Sequence, residues 1–280
     1  MKINFTRTLA LMMATVFLYA SCKKSANTHS AKTAAIDYKA LSGQIALNLA
    51  QSLSGKYGGT NINDGISLPK NMSHSVRGLA VNSINTLCGF IVDTAFNNKV
   101  TTHDTTKTVQ GNFHFVFNCD ANVLDGYTVS ESFINADSGY RFTDYNSVSQ
   151  SYVVKALDNT YKLVSMDGNI NVDIQNSFFV APDPRIARGD QGSHSLSSQY
   201  VLAGLHVNFS SGIADITSGK ATFTTTTFDL NANTPIDGVI TFLSGDIVFL
   251  GNHKARLNFS GFTPPLSFMV DLLTGVVTKI

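Results

Sequence analysis

The chain has no tryptophan, three cysteines and six prolines, and its only glutamate, Glu131, stands among 18 aspartates. Each scarcity excludes something. Charged residues make up 14% of the 280 residues. Long surface helices draw heavily on Glu, Lys and Ala, so a mainly helical protein is ruled against. With one glutamate, a glycosidase would have to combine aspartates, or an aspartate with Glu131, and the separation that sets its mechanism is not written in a sequence. Without tryptophan, a glycan-binding platform would rest on Phe and Tyr, most of which fall in strand alternation instead. Seven histidines occur with no H-x-x-H, H-x-x-x-H or HExxH spacing, which gives no metal site. There is no P-loop, no GxGxxG and no G-x-S-x-G elbow. The formal net charge is +1 with no clustered basic surface, so no nucleic-acid partner is expected. The sequence therefore points to no catalytic residue and no cofactor.

What is present is period-two alternation. In "NINVDIQ", Ile170, Val172 and Ile174 alternate with Asn169, Asn171, Asp173 and Gln175. In "YTVSESFI", Tyr127, Val129 and Phe133 alternate with polar residues, and Glu131 falls on the apolar side. "HKARLNFSG" and "SFMVDLL" repeat the pattern through Ala255, Leu257, Phe259, Phe268, Val270 and Leu272. Such alternation describes strands with one packed face and one wet face. Between them, Asp125-Gly126, Asp167-Gly168, Ser218-Gly219, Asp237-Gly238, Ser244-Gly245 and Thr274-Gly275 read as hairpin turns. The sum predicts an all-β fold: a dozen or so strands in a large antiparallel meander, curled into an open barrel or folded into a sandwich.

Helical spacing occurs only near the start. Ile36, Leu41, Ile45, Leu49 and Leu53 form a stripe over residues 34–54, and Gly55 stands where a C-capping glycine ends a helix. This amphipathic helix should pack across a face or mouth of the sheet. Val76, Leu79, Ala80, Ile84 and Leu87 suggest a second short helix. The Pro- and Gly-bearing stretch 180–199 reads as a long connection, and a subdivision of the single domain 34–280 would fall near 181–198.

The first 21 residues have the outline of a secretory signal. Lys2 and Arg7 precede an apolar run, Leu9 to Ala20, that is too short to span a bilayer. It ends Ala20-Ser21-Cys22, and this resembles the lipobox of bacterial lipoproteins. The resemblance implies that Cys22 carries diacylglycerol, that cleavage removes residues 1–21, and that 22–33 is a polar tether. Lys23 and Lys24 follow the cysteine. By the same resemblance to diderm sorting signals, they point to the outer membrane, and the lack of an acidic stretch in "KKSANTHSAK" favours its periplasmic face, with the cell surface as the alternative. Removing residues 1–21 takes two of the 20 basic residues and none of the 19 acidic ones, leaving a net charge near −1.

Cys88 and Cys119 then remain as a pair in a compartment that permits disulfides. By parity Cys88 shares a face with Phe90, Val92 and Phe96, and Cys119 with Phe113, Phe115 and Phe117. Two facing core strands would bring them together, and buried free thiols are the alternative. Glu131 on an apolar face is the one ionisable oddity; an edge position or an ion pair is the ordinary explanation for such a residue. "GSHS" (192–195) and "RGD" (188–190) read as parts of a polar loop, and the Asp-Thr pairs at 93–94 and 104–105 as ordinary sequence. Val239 to Leu250 is apolar on both parities, which predicts a buried central strand pair or a cavity wall. The expectation for function is a non-catalytic, lipid-anchored envelope protein, structural or binding an apolar small ligand or lipid. A surface adhesion or glycan-binding module and a hydrolase built on a carboxylate pair are the alternatives.

Overall fold

A computed structural model of the chain describes residues 36–67, 87–179, 191–210, 212–230 and 239–280. The signal segment, Cys22, the tether, the helical stripe that precedes Leu87, the Arg188-Gly189-Asp190 tripeptide and Asp237-Gly238 lie outside the described residues. Tyr38 to Ile280 forms one unit.

That unit is an antiparallel meander in which every strand pairs with its neighbours in sequence. The strands are β1 (Ile91–Thr101), β2 (Thr105–Asp120), β3 (Val123–Gly139), β4 (Phe142–Ala156), β5 (Leu163–Phe179), β6 (Gln191–Asn208), β7 (Asp215–Leu230), β8 (Val239–Gly251), β9 (Lys254–Phe259), β10 (Leu266–Asp271) and β11 (Val277–Lys279). β1 and β11 do not pair, so the sheet is not closed into a barrel. Helix α1 (Tyr38–Leu53) packs against β5, β9, β10 and β11. In a flat sheet β5 and β11 would stand about 29 Å apart, against a helix about 10–12 Å wide. The sheet therefore curls, with α1 on its concave side.

The stripe that predicted the helix is what it buries: Ile45, Leu49 and Leu53 are inaccessible, and Tyr200 of β6 donates its hydroxyl proton to the Ile45 carbonyl at 2.8 Å. Gly55 ends it as expected. At φ 68° it lets Lys56 N–H reach the Gln51 carbonyl and its own N–H reach Ser52, the paired bonds of a Schellman cap. Gly43, mid-helix, costs helix propensity, yet a Cβ there would lie 3.0 Å from Val277 Cγ2, so its absence lets β11 lie close. The other half of the concave face holds an aromatic cluster in which Phe115 contacts Phe117 and Tyr127 with ring centroids 4.8 Å apart.

Three expectations are corrected. Asp125-Gly126, Asp167-Gly168, Ser218-Gly219 and Ser244-Gly245 are inside strands, not turns. Gly168 sits at a register shift with φ 155°, and a Cβ on Gly126 would stand 1.9 Å from the Val154 carbonyl oxygen. These glycines mark bulges and close backbone approach. Tight turns instead use Ala121-Asn122 and Asn252-His253, each pair at positive φ. Because four supposed turns are strand interior, the strands are longer and number eleven among the described residues.

Residues 191–199 of the supposed long connection belong to β6. Their polarity has a local cause: Ser193, Ser195, Ser197 and Gln199 lie on the outer face while Leu196, Ser198 and Tyr200 are buried. The stretch 240–250 is not buried on both faces. Leu243, Ile247 and Phe249 join the core, while Ile240, Leu250 and Phe242, the last 76% exposed, face outward.

Candidate functional site

The segment from Gly55 to Ile66 leaves α1 and enters the concave side of the sheet, where it meets Glu131. This glutamate lies mid-strand on β3, between β2 and β4, and is 2% exposed. It is therefore not at an edge. No Lys or Arg pairs with it among the described residues. Its carboxylate instead accepts the Thr60 backbone N–H at 3.1 and 3.0 Å, the Thr60 hydroxyl at 2.9 Å, and the side-chain amide of Gln150 on β4. The Thr60 hydroxyl also hydrogen-bonds the Tyr152 hydroxyl. Burial pushes the Glu131 carboxyl up to about 7, against the lowering effect of the bonds from Gln150 and Thr60. Burial likewise raises the Tyr127 and Tyr152 phenols that face the cluster, with like-charge repulsion from Glu131 adding to both.

This is a docking point rather than an open acid. Gly59, at φ 87°, passes so close that a Cβ would lie 2.3 Å from Glu131 Oε1 and 2.6 Å from the Phe133 ring. The groups that hydrogen-bond Glu131, Thr60 and Gln150, are neutral, and Asp64 acts with Glu131 in raising the Tyr127 phenol. Parity alone flagged the residue; its partner Thr60 is 71 positions away and carried no signal.

The same segment, a few residues on, forms one wall of a cavity. A short 3-10 turn, Ile62–Asp64, is capped by Asn61, whose side chain accepts the Asn63 N–H. Ile62 and Asn63 face Ala50, Leu53 and Ser54 at the C-terminal end of α1, with Ile213, Ala214, Ile216, Leu272 and Leu273 closing the other sides. The volume is about 220 Å³. Asn63 Oδ1 accepts the Ala214 N–H at 2.7 Å, fixing the 3-10 turn to the start of β7. Gln51, Ser54, Asn63 and His253 make the lining partly polar. His253 Nδ1 lies 3.7 Å from Asp215 Oδ1, while the Asp215 carboxylate accepts the N–H groups of Asn252 and His253 at 2.7 and 2.8 Å. None of this was legible beforehand, since the lining comes from five separate stretches of chain.

No family model, curated protein or solved structure matches this chain.

The remaining residues singled out from sequence fall elsewhere. Cys88 and Cys119 are brought to bonding distance, with Sγ–Sγ 2.10 Å and Cα–Cα 5.5 Å. Their setting differs from expectation. Cys88 lies in the turn before β1, and Cys119 follows a register shift in β2 and is exposed, so the pair sits at the rim and not on the core face. His194 belongs to β6 and its Nδ1 contacts Asp229 Oδ1 at 2.5 Å. Ser193 and Ser195, one position to either side, project to the opposite face. No serine–histidine relay can form there.

Proposed function

We propose that this chain is a lipid-anchored envelope protein without catalytic function, whose curled sheet holds a small apolar ligand or the end of a lipid chain in the cavity beside α1. The observation that carries the reading is the cavity itself: about 220 Å³, walled mainly by Leu53, Ile62, Ile216 and Leu272, with the hydrophobic Ile213 and Leu273 at its exposed rim. An apolar site of about 150 Å³ already takes up a benzene-sized molecule, so this volume suits a short apolar group. The anchoring half of the proposal rests on Ala20-Ser21-Cys22 after its apolar run. Among the described residues no helix is long and apolar enough to cross a membrane.

The test is native mass spectrometry of the full chain made in a diderm host, followed by organic extraction and identification of any released apolar molecule. Ala50, half-buried on α1 and lining the cavity, is the position to block. Wild-type protein should carry a non-covalent apolar adduct, and Ala50→Phe should lose it while keeping the acyl mass on Cys22. An empty wild-type protein, or an adduct retained by Ala50→Phe, sinks the ligand reading. A mature mass without acyl chains sinks the anchor.

A further inference from the structure

The open edge of the sheet is the strongest feature that the cavity does not use. Among the described residues β1 pairs only with β2, in regular register from Ile91↔Val116 to Thr101↔Thr106. Just outside the strand, Phe117 N–H bonds to the Phe90 carbonyl, and Thr102 N–H bonds to the Thr105 carbonyl. Hydrogen-bonded pairs alternate along an antiparallel ladder. Even-numbered residues of β1 therefore bond to β2, and Ile91, Asp93, Ala95, Asn97, Lys99 and Thr101 direct their N–H and C=O groups outward.

Edges of this kind are templates for another strand, and proteins blunt them with prolines, bulges, clustered lysines or brevity. The opposite edge, β11, is blunted by its length of three residues. β1 is eleven residues long, has no proline, no register shift and one lysine. It also keeps apolar side chains exposed, Val100 at 62% and Ile91 at 52%. Its position is fixed at one end by the Cys88–Cys119 pair and at the other by the Thr102–Thr105 turn.

The sequence of β1 identifies what fits. In "IVDTAFNNKVT", Asp93 and Lys99 stand equally far on either side of Phe96, as do Val92 and Val100. Antiparallel self-pairing about Phe96 overlaps all eleven residues and sets outward-bonding residues against one another. It also places Asp93 opposite Lys99 of the second copy twice, Val92 opposite Val100 twice, and Phe96 on its own counterpart. Registers two residues to either side lose both charge pairs.

We propose that β1 is the contact of a two-fold dimer, formed by a second copy of this chain adding its own β1 edge to edge. The interface is isologous and closes on itself, so it consumes the open edge without propagating. His114 of β2 contacts Asp93 on the outer face at 2.5 Å, which leaves each opposing pair as a His114–Asp93–Lys99 row. Phe96 packs on Phe133 within its own sheet, ring centroids 5.8 Å apart, and so presents a fixed inner edge to its counterpart.

The test uses the full chain extracted in detergent. Light scattering should report a dimer, and Lys99→Glu should weaken it by about tenfold or more, because like charges then face each other twice. Adding Asp93→Lys to Lys99→Glu should restore association, since opposite charges meet again. Opposed residues in a non-hydrogen-bonded pair lie about 4.5 Å apart, within disulfide range. Phe96→Cys should accordingly cross-link to its own copy under mild oxidation. Asn98→Cys should not, because its counterpart is four residues away along the strand. A monomeric wild-type protein, a dimer indifferent to Lys99→Glu, or cross-linking of the Asn98→Cys variant in place of the Phe96→Cys variant would each overturn the proposal.

Discussion

Replacing Glu131 by glutamine should change how stability depends on pH. The carboxyl has an ordinary value of 4.5 and is raised to about 7 in the folded chain. Between those values the unfolded chain has released the proton and the folded chain still holds it. The folded state binds more protons there, so the contribution of Glu131 to stability falls as pH rises from about 4.5 to about 7 and stays low above. That direction is opposite to the one produced by ion-paired aspartates. At about 1.4 kcal/mol for each pH unit of the window, the full span is about 3 kcal/mol. The assay is urea unfolding of wild type and Glu131→Gln at fixed ionic strength, from about pH 4.5 to about pH 8. Glutamine keeps the shape and an acceptor for Thr60, and its amide has a ready partner in Gln150 Oε1, a buried acceptor with none among the described residues. The two proteins differ at this one side chain, so the difference between their curves isolates it. Relative to the variant, wild type should lose about 3 kcal/mol across the window. A difference curve that is flat, or that rises with pH, would refute the reasoning and mean that Glu131 is ionised in the fold throughout.

Three further outcomes follow from the same geometry. Gly59→Ala should destabilise the chain by about 3 kcal/mol or more, measured by urea unfolding, because its Cβ meets Glu131 Oε1 at 2.3 Å at a φ of 87°. Thr60→Val should cost about 1–3 kcal/mol, by leaving Glu131 and Tyr152 each short of a partner. Since the Thr60 bonds lower the Glu131 carboxyl, the pH window of instability should also extend upward in that variant. Cys88→Ser with Cys119→Ser should lower stability by about 3–4 kcal/mol in the loop-entropy account of a bridge 31 residues apart. Because the pair sits at the rim, the double variant should keep its sheet signature in circular dichroism, and a collapse to random coil would contradict that placement.

The sequence by itself determined the fold class, the helix and its end. Those are properties of local period: alternation at two selects a half-buried strand, a four-residue stripe selects a helix face, and Gly55 serves as a cap whatever surrounds it. Turn placement was mostly illegible: of the five dipeptides on described residues only Thr274-Gly275 lies at a turn. Asp-Gly and Ser-Gly supply positive φ, but a bulge or a crowded strand crossing needs glycine for the same steric reason, as Gly168 and Gly126 show. The faces of Val239–Leu250 were equally undecided, because an apolar residue such as Phe242 can stand in solvent when no element covers it. Parity located Glu131 on an inner face. Only the tertiary structure decided what it does there, since Thr60 arrives from 71 residues away. The cavity beside α1 was wholly a product of assembly: five stretches, each ordinary alone, converge where the sheet curls round the end of a helix. Local chemistry selects elements and faces; contacts between distant segments depend on how the sheet bends, and that is a property of the packed whole.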